Sequence, residues 1–360
     1  MSHLSQFREN LLKEGFDAAI ISDKTNQRYL SDFDFDDGLV LVTADSAHLL
    51  TDFRYLEAAR AQCSKELEVL TPEQGHLACI RGILEEKKMT RVAVEESTLS
   101  YGAYLRFAEK LPDCKLEGGA SRLLETQRQV KDEGELETMA RAQAVTDAAF
   151  AHILKFIQPN MTEIEVALEL EFFMRRNGAD SLAFDTIAVS GSASSLPHGV
   201  PANRKLEKGF FTMDFGARVD GYCSDMTRTV VLGRADAEMK KLYNTVLTAQ
   251  RAALDAAAEG VSCASLDKIA RDIIDGDPAY KGAFGHSLGH GVGLFIHENP
   301  RLSVKAPEEE VLRRGNVVTF EPGIYLLGKY GCRIEDMAAI CPDGSFRNFT
   351  KSPKELIELF

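Results

Sequence analysis

The strongest constraint on the fold is an alternation of short apolar runs with helical stretches over the first third of the chain. Residues 18–21, 38–42, 48–50, 67–70 and 91–94 each read as a strand. Residues 7–14, 55–63, 76–87 and 101–111 read as helices between and around them. Apolar runs too short for helices, spaced by segments long enough for them, point to a layered α/β domain. No Gly-rich phosphate loop follows any of these strands, so nothing supports a dinucleotide site. Residues 114–122 read as a final strand and a link, which sets a domain boundary near residue 125.

Beyond that boundary the pattern changes. Residues 133–156 form a long helical stretch without proline. Thr162 is a candidate N-cap, and Glu165 three positions later completes a capping-box pattern. Residues 240–258 and 266–274 read as further helices, and 186–190, 210–215, 227–232, 317–320 and 337–340 as strands. The second domain, 126–360, is therefore expected to be α+β, after an α/β domain over 1–125. No strong internal repeat is visible. At 360 residues and 44% apolar content, each domain can bury a core of its own.

Charge and hydropathy narrow the function classes. Lys plus Arg is 42 and Asp plus Glu is 55, a formal charge of -13. That balance argues against a general nucleic-acid binder, which needs a basic footprint. No apolar run approaches a membrane span. Residues 1–16 read as an amphipathic helix without the apolar core of a secretory signal, so a cytoplasmic location is expected. The seven cysteines are scattered with no CxxC pair, as suits reduced thiols.

The chemistry-bearing residues lie in the second domain. Asp214 ends the apolar run Thr212-Met213-Asp214-Phe215-Gly216, and Asp225 follows in Ser224-Asp225-Met226-Thr227-Arg228-Thr229. With Gly221 in a turn, a hairpin would bring the two carboxylates together. They would repel and raise each other's pKa, a penalty that a bound cation removes. Taken alone, the pair could equally be surface or cap aspartates. The segment Gly285-His286-Ser287-Leu288-Gly289-His290-Gly291-Val292-Gly293 supplies imidazoles among glycines that allow close backbone approach. His290 is a candidate metal ligand and His297 a candidate proton donor or acceptor, whereas His286 reads as a hydrogen-bonded structural residue. Glu321, in Thr319-Phe320-Glu321-Pro322-Gly323, and Glu335, in Arg333-Ile334-Glu335-Asp336, complete a set of four carboxylates and one imidazole suited to hard divalent ions. Arg333 could orient a carboxylate or a substrate, or form no more than an exposed ion pair.

In order and motif context, these five residues resemble the metal ligands of the pita-bread metallopeptidases, a group that includes methionine aminopeptidase, prolidase, aminopeptidase P and creatinase. Leu196-Pro197-His198-Gly199, Met213-Asp214-Phe215-Gly216, the Asp225 motif and the Gly289 to Glu298 segment are similar to the proline-specific branch. The resemblance covers essentially the whole chain. It implies a creatinase-like N-terminal α/β domain followed by a pita-bread (creatinase/aminopeptidase) α+β catalytic domain. It further implies two divalent ions, manganese in the first place, with cobalt or zinc as alternatives. Asp214 would bind one ion and His290 with Glu321 the other, with Asp225 and Glu335 bridging. His198 and His297 would contact the substrate, Arg333 would support the site, and Glu321 would shuttle a proton. The expected reaction is hydrolysis of the bond before proline in a proline-containing peptide by an Xaa-Pro aminopeptidase, with an Xaa-Pro dipeptidase (prolidase) as the alternative and a non-catalytic peptide-binding homologue as the remote one. A homodimer is expected by the same resemblance, with no nucleic-acid or membrane partner.

Overall fold

The computed structural model describes residues 1–360, which form two compact units, Met1–Arg128 and Gln129–Phe360. The first unit is built on a six-stranded sheet in the spatial order Glu68–Leu70, Ala47–Thr51, Gly38–Thr43, Ala18–Ile21, Arg91–Val94, Lys115–Gly118. Ala18–Ile21 is central, antiparallel to Gly38–Thr43 and parallel to Arg91–Val94. All four of its residues are buried, which is why it reads as an uninterrupted apolar run rather than an alternating one. Ile20, Leu41, Leu50, Val92 and Val94 pack against Ile80, Leu84, Phe107 and Leu111 of the flanking helices.

Two helices of this unit depart from the sequence reading. Lys24–Ser31 is polar and has no apolar period. Its start is set instead by Asp23, whose side chain accepts the N–H groups of Thr25 and Asn26, and its end by Asp32 in the left-handed region at φ 59. The Gln27 amide then donates to the carbonyls of Ile21 and Gly38 at 3.0 and 2.9 Å, tying the helix to two strands. In the segment expected to be a strand and a link, the strand stops at Gly118 and Ala120–Arg128 turns helical, burying Leu123 and Leu124. The boundary expected near residue 125 falls within this helix.

In the second unit the same order of elements recurs. The helices Glu133–Phe156 and Glu163–Arg176 precede a sheet formed by Ile187–Ser190, Gly209–Phe215, Met226–Leu232 and Glu358–Leu359. Ala237–Asp255 and Cys263–Asp275 precede a second sheet with the strands Glu298–Leu302, Gly289–Gly291, Val317–Phe320, Asp336–Ile340 and Phe346–Asn348. Isolated bridges at Thr162↔Lys205 and Ser262↔Val311 mark matching positions at the start of the second helix of each pair. The first two helices are anchored by capping boxes, Asp132 with Glu135 and Thr162 with Glu165. Each helix pair covers one sheet with its own core: Phe150, Ile153, Val166 and Leu170 over Phe211 and Met213, and Leu242, Val246, Leu266 and Ile274 near Val318 and Phe320. The uncovered faces and strand ends carry the polar residues described next.

Candidate metal centre

Asp214 is the penultimate residue of Gly209–Phe215, and Asp225 immediately precedes Met226–Leu232. These strands pair antiparallel, with Phe215 opposite Met226 and Asp214 opposite Thr227. Between them the chain leaves through Ala217–Val219 and returns through Tyr222–Cys223. It turns at Asp220 and Gly221, both at positive φ (47° and 80°). Two such residues make the turn whose twist matches the strands it joins, so the hairpin delivers both carboxylates to one end of the sheet. Glu335 comes from the link between Tyr330–Arg333 and Asp336–Ile340, and its N–H donates to Thr227 O at 3.1 Å. Glu321 follows Val317–Phe320, held by its N–H to Leu288 O at 2.7 Å. His290 is the middle residue of Gly289–Gly291.

The ligand atoms of Asp225, His290 and Glu335 all lie within 4.8 Å of one another, and all three residues are buried. His290 Nε2 stands 3.6 Å from Asp225 Oδ2 and 3.5 Å from Glu321 Oε1. Its Nδ1 is 3.0 Å from Gly291 O, so Nδ1 carries the proton and Nε2 presents a lone pair to the carboxylates. Burial drives the His290 pKa down to about 3, which keeps the ring neutral, the form that binds metals. These close contacts with carboxylates are therefore not ion pairs. Burial raises Asp225 and Glu335 well above the carboxylate range, and the mutual repulsion of the acidic groups adds to it. Burial likewise raises Glu321 to about 8, against the nearby Arg333 charge that lowers it.

Arg333 Nη2 donates to Asp214 Oδ2 at 2.5 Å, while Asp214 Oδ1 is buried without a partner. An orphaned buried carboxylate oxygen beside three carboxylates that resist ionisation fits the residues of a cation site. The donor set, oxygen-rich with one imidazole, fits hard divalent ions. Outer contacts hold these groups in place. Thr227 Oγ1 donates to Glu335 Oε2 at 2.8 Å and accepts from Arg333 Nε at 2.9 Å. Arg333 Nη1 donates to the Tyr325 hydroxyl at 2.7 Å, which in turn lies 3.0 Å from His286 Nε2. His286 Nδ1 is 2.9 Å from Ser287 O. Both ring nitrogens of His286 are therefore hydrogen-bonded, and burial pushes its pKa down to about 4.

Asp214, Asp225, His290, Glu321, Glu335, His198, His297 and Arg333 all line one cavity of about 390 Å³. His198 and His297 are exposed at its wall, and the His297 ring lies 4.4 Å from that of His290. Residues that the sequence did not single out complete the lining: Phe184, Asp185, Ile187, Ile296 and Arg301. Tyr325 and Thr227 join them as supports behind the candidate ligands. Arg301 sits four residues after His297 and opposite His290 on the neighbouring strand, a proximity that only the pairing of strands reveals.

Residues 137–341 match metallopeptidase family M24, and residues 3–130 match the creatinase/prolidase N-terminal domain. The chain belongs to metallopeptidase family M24. A creatinase-like N-terminal domain thus precedes a pita-bread catalytic domain. Among this M24 protein's relatives is an Xaa-Pro dipeptidase of Pyrococcus horikoshii, 37% identical over 96% of this chain and 95% of that protein. Among solved structures, an Xaa-Pro dipeptidase from Bacillus anthracis superposes with a TM-score of 0.93 at 39% identity, covering 99% of both chains. An X-Pro aminopeptidase from Thermotoga maritima superposes with a TM-score of 0.89 at 35% identity, covering 98% of this chain and 99% of that one. No helix of the M24 chain is long and apolar enough to cross a membrane.

Proposed function

We propose that the protein is a two-metal Xaa-Pro dipeptidase that hydrolyses the bond between an amino-terminal residue and a carboxy-terminal proline. Asp214, Asp225, His290, Glu321 and Glu335 would hold the ions, with manganese as the working metal. When bound, the ions supply a water acidified to near neutrality and a positive field for the developing oxyanion. The chain's own residues do the rest. Arg333 and Thr227 fix the carboxylates, and the Gly291 carbonyl orients His290. His198 and His297, at the cavity wall, hydrogen-bond the substrate carbonyl region. Proline nitrogen is tertiary while acylated and offers no N–H to bind, so it must receive a proton as the C–N bond breaks and the new C–O bond forms. Glu321 is assigned to carry that proton from the attacking water to the leaving nitrogen.

The Leu196-Pro197-His198-Gly199-Val200-Pro201 phrase leans toward short aminopeptidase-P-like enzymes. Arg301 carries the reading the other way, and the dipeptidases among the relatives support it. Arg301 lines the cavity, where its charge acts on Glu321, His290 and His297. A cation at the cavity wall matches the free carboxylate that proline bears in a dipeptide and lacks in a longer peptide. Phe184, Ile187 and Ile296 supply apolar surface for the ring and the first side chain. The test compares Ala-Pro with Ala-Pro-amide on manganese-loaded protein. Loss of a charge-assisted pair should raise KM about 10–100-fold for the amide, and Arg301→Leu should abolish that discrimination. Equal cleavage of acid and amide by the native protein would contradict the reading.

A further inference from the structure

Two residues outside the ligand set form a buried ion pair close to the site. Lys131 Nζ donates to Glu298 Oε2 at 2.9 Å, and the two side chains are only 1% and 4% exposed. Lysine and glutamate are almost never buried to this extent unless paired. Withdrawing both charges from water costs several kcal/mol per ion, and their mutual attraction often no more than offsets it. A well-packed apolar pair would serve stability as well, so the pair calls for a different explanation.

What it holds is a loop. Glu298 Oε1 accepts the Phe295 N–H at 3.2 Å, and the Gly293 N–H donates to Phe295 O at 3.0 Å. A Cβ on Gly293 would stand 2.7 Å from Glu298 Oε2, so the carboxylate lies directly against that backbone. Lys131 is fixed in turn by its own N–H, which donates to Gly315 O at 2.8 Å just before Val317–Phe320. On the opposite side of the loop, the Cys223 N–H donates to Gly293 O at 2.8 Å, two residues from Asp225. The segment 293–298 carries Ile296 and His297, both of which line the cavity. The His297 imidazole makes no hydrogen bond of its own, and its contact is the ring of His290. Its position is therefore set by the backbone that Glu298 clamps.

We propose that the Lys131–Glu298 pair is a positioning device for His297, with Lys131 a positioning residue that holds the 293–298 loop against the metal centre. Its kinetic consequence rests on the peptidase reading given above, but the ordering of the loop does not. Directional bonds from a charged pair fix the loop's register, which an apolar pair of equal stability would leave loose.

The test uses the full-length protein loaded with manganese. Lys131→Met strands the Glu298 charge and risks misfolding, so the decisive variant is the double K131M/E298M, which leaves no buried charge. It is expected to keep native metal stoichiometry, to exchange the amides of residues 295–297 faster by at least tenfold, and to lose about 100-fold in kcat on Ala-Pro, the scale of a misplacement of about 1 Å. Lys131→Arg, which keeps the charge, should recover most of both. Native exchange at 295–297 together with native kcat in the double variant would overturn the proposal, and so would a lowered Tm with kcat unchanged. If the native protein does not cleave Ala-Pro, the peptidase reading fails, while the exchange measurement still decides whether the pair orders the loop.

Discussion

At the residue scale, the site depends on carboxylates that disfavour one another's charge. Asp225 shows this most clearly, because burial and its acidic neighbours Glu335, Asp214 and Glu321 all raise its pKa. Replacing it by asparagine removes one contributor to that repulsion and, on the proposed assignment, one ligand. Asp225→Asn is expected to leave the metal-free protein at least as stable as the native one at pH 8. Metal affinity should fall about 100-fold or more, beyond the usual effect of removing an outer partner. Calorimetric titration with manganese, beside thermal melts with and without the ion, checks both halves. Full metal content in the variant would refute the role of Asp225. Asp214, Asp225, His290, Glu321 and Glu335, which share one cavity, were legible in the sequence as a set of candidate ligands, because each stands beside a strand-like run or among glycines. Arg301, Tyr325 and Lys131 were not legible. A single polar residue in a strand or link has no local signature, and its meaning arises from what strand pairing sets beside it.

At the scale of elements, the site is made by strand ends meeting closely. Gly216 shows how little room there is: a Cβ there would stand 2.0 Å from Ser224 O, a backbone atom that cannot swing aside. Gly216→Ala is therefore expected to force apart the hairpin that brings Asp214 to Asp225. It should cost about 3 kcal/mol or more, within the range of overpacking and strained-backbone changes, and should weaken metal binding although no ligand is altered. Urea unfolding and a metal titration measure the two effects. Helix Glu133–Phe156 was legible residue for residue, and Glu163–Arg176 through its capping box, because long amphipathic stretches with capping residues carry their own signal. The strands Gly289–Gly291 and Glu298–Leu302 and the hairpin strands Gly323–Leu326 and Tyr330–Arg333 were not read as strands. They are short, rich in glycine or polar residues, and defined by their partners rather than by apolar alternation. Lys24–Ser31 was missed for the related reason that its helix is fixed by Asp23 and by Gln27 reaching two strands.

At the scale of the whole molecule, the buried site couples metal, pH and stability. His290 and His286 titrate in the fold near 3 and 4, below the ordinary 6.5. Depressed bases add stability as pH rises toward 6.5, and that gain is complete above it. Glu321, raised to about 8, works the other way: its stabilising contribution is full below the ordinary 4.5 and is lost as pH rises through about 8. Asp225 and Glu335, also raised, act in the same direction. Between pH 6.5 and 8 the carboxylates therefore dominate. Metal-free protein should lose stability as pH rises through this window, by up to about 1.4 kcal/mol per pH unit for each group releasing a proton. Because divalent ions bind carboxylates in their ionised form, the proposed assignment predicts that metal affinity rises over the same window, and that saturating manganese flattens or reverses the fall. Thermal melts at half-unit steps, with and without the ion, measure this. A metal-free protein that gains stability from pH 6.5 to 8 would contradict the electrostatic account of the site.

The central claim is that this fold places a two-metal site in a cavity fitted to a free dipeptide ending in proline. The most direct measurement is hydrolysis of Ala-Pro beside Ala-Pro-Ala by protein stripped of metal and reloaded with two equivalents of manganese. The account predicts cleavage of Ala-Pro, dependent on the added ion, with release of alanine from the tripeptide slower by about tenfold or more, as expected when one charge-assisted contact is lost. Release of alanine from Ala-Pro-Ala with Ala-Pro left intact would contradict it and make the protein an aminopeptidase, and cleavage of neither would remove the peptidase reading itself.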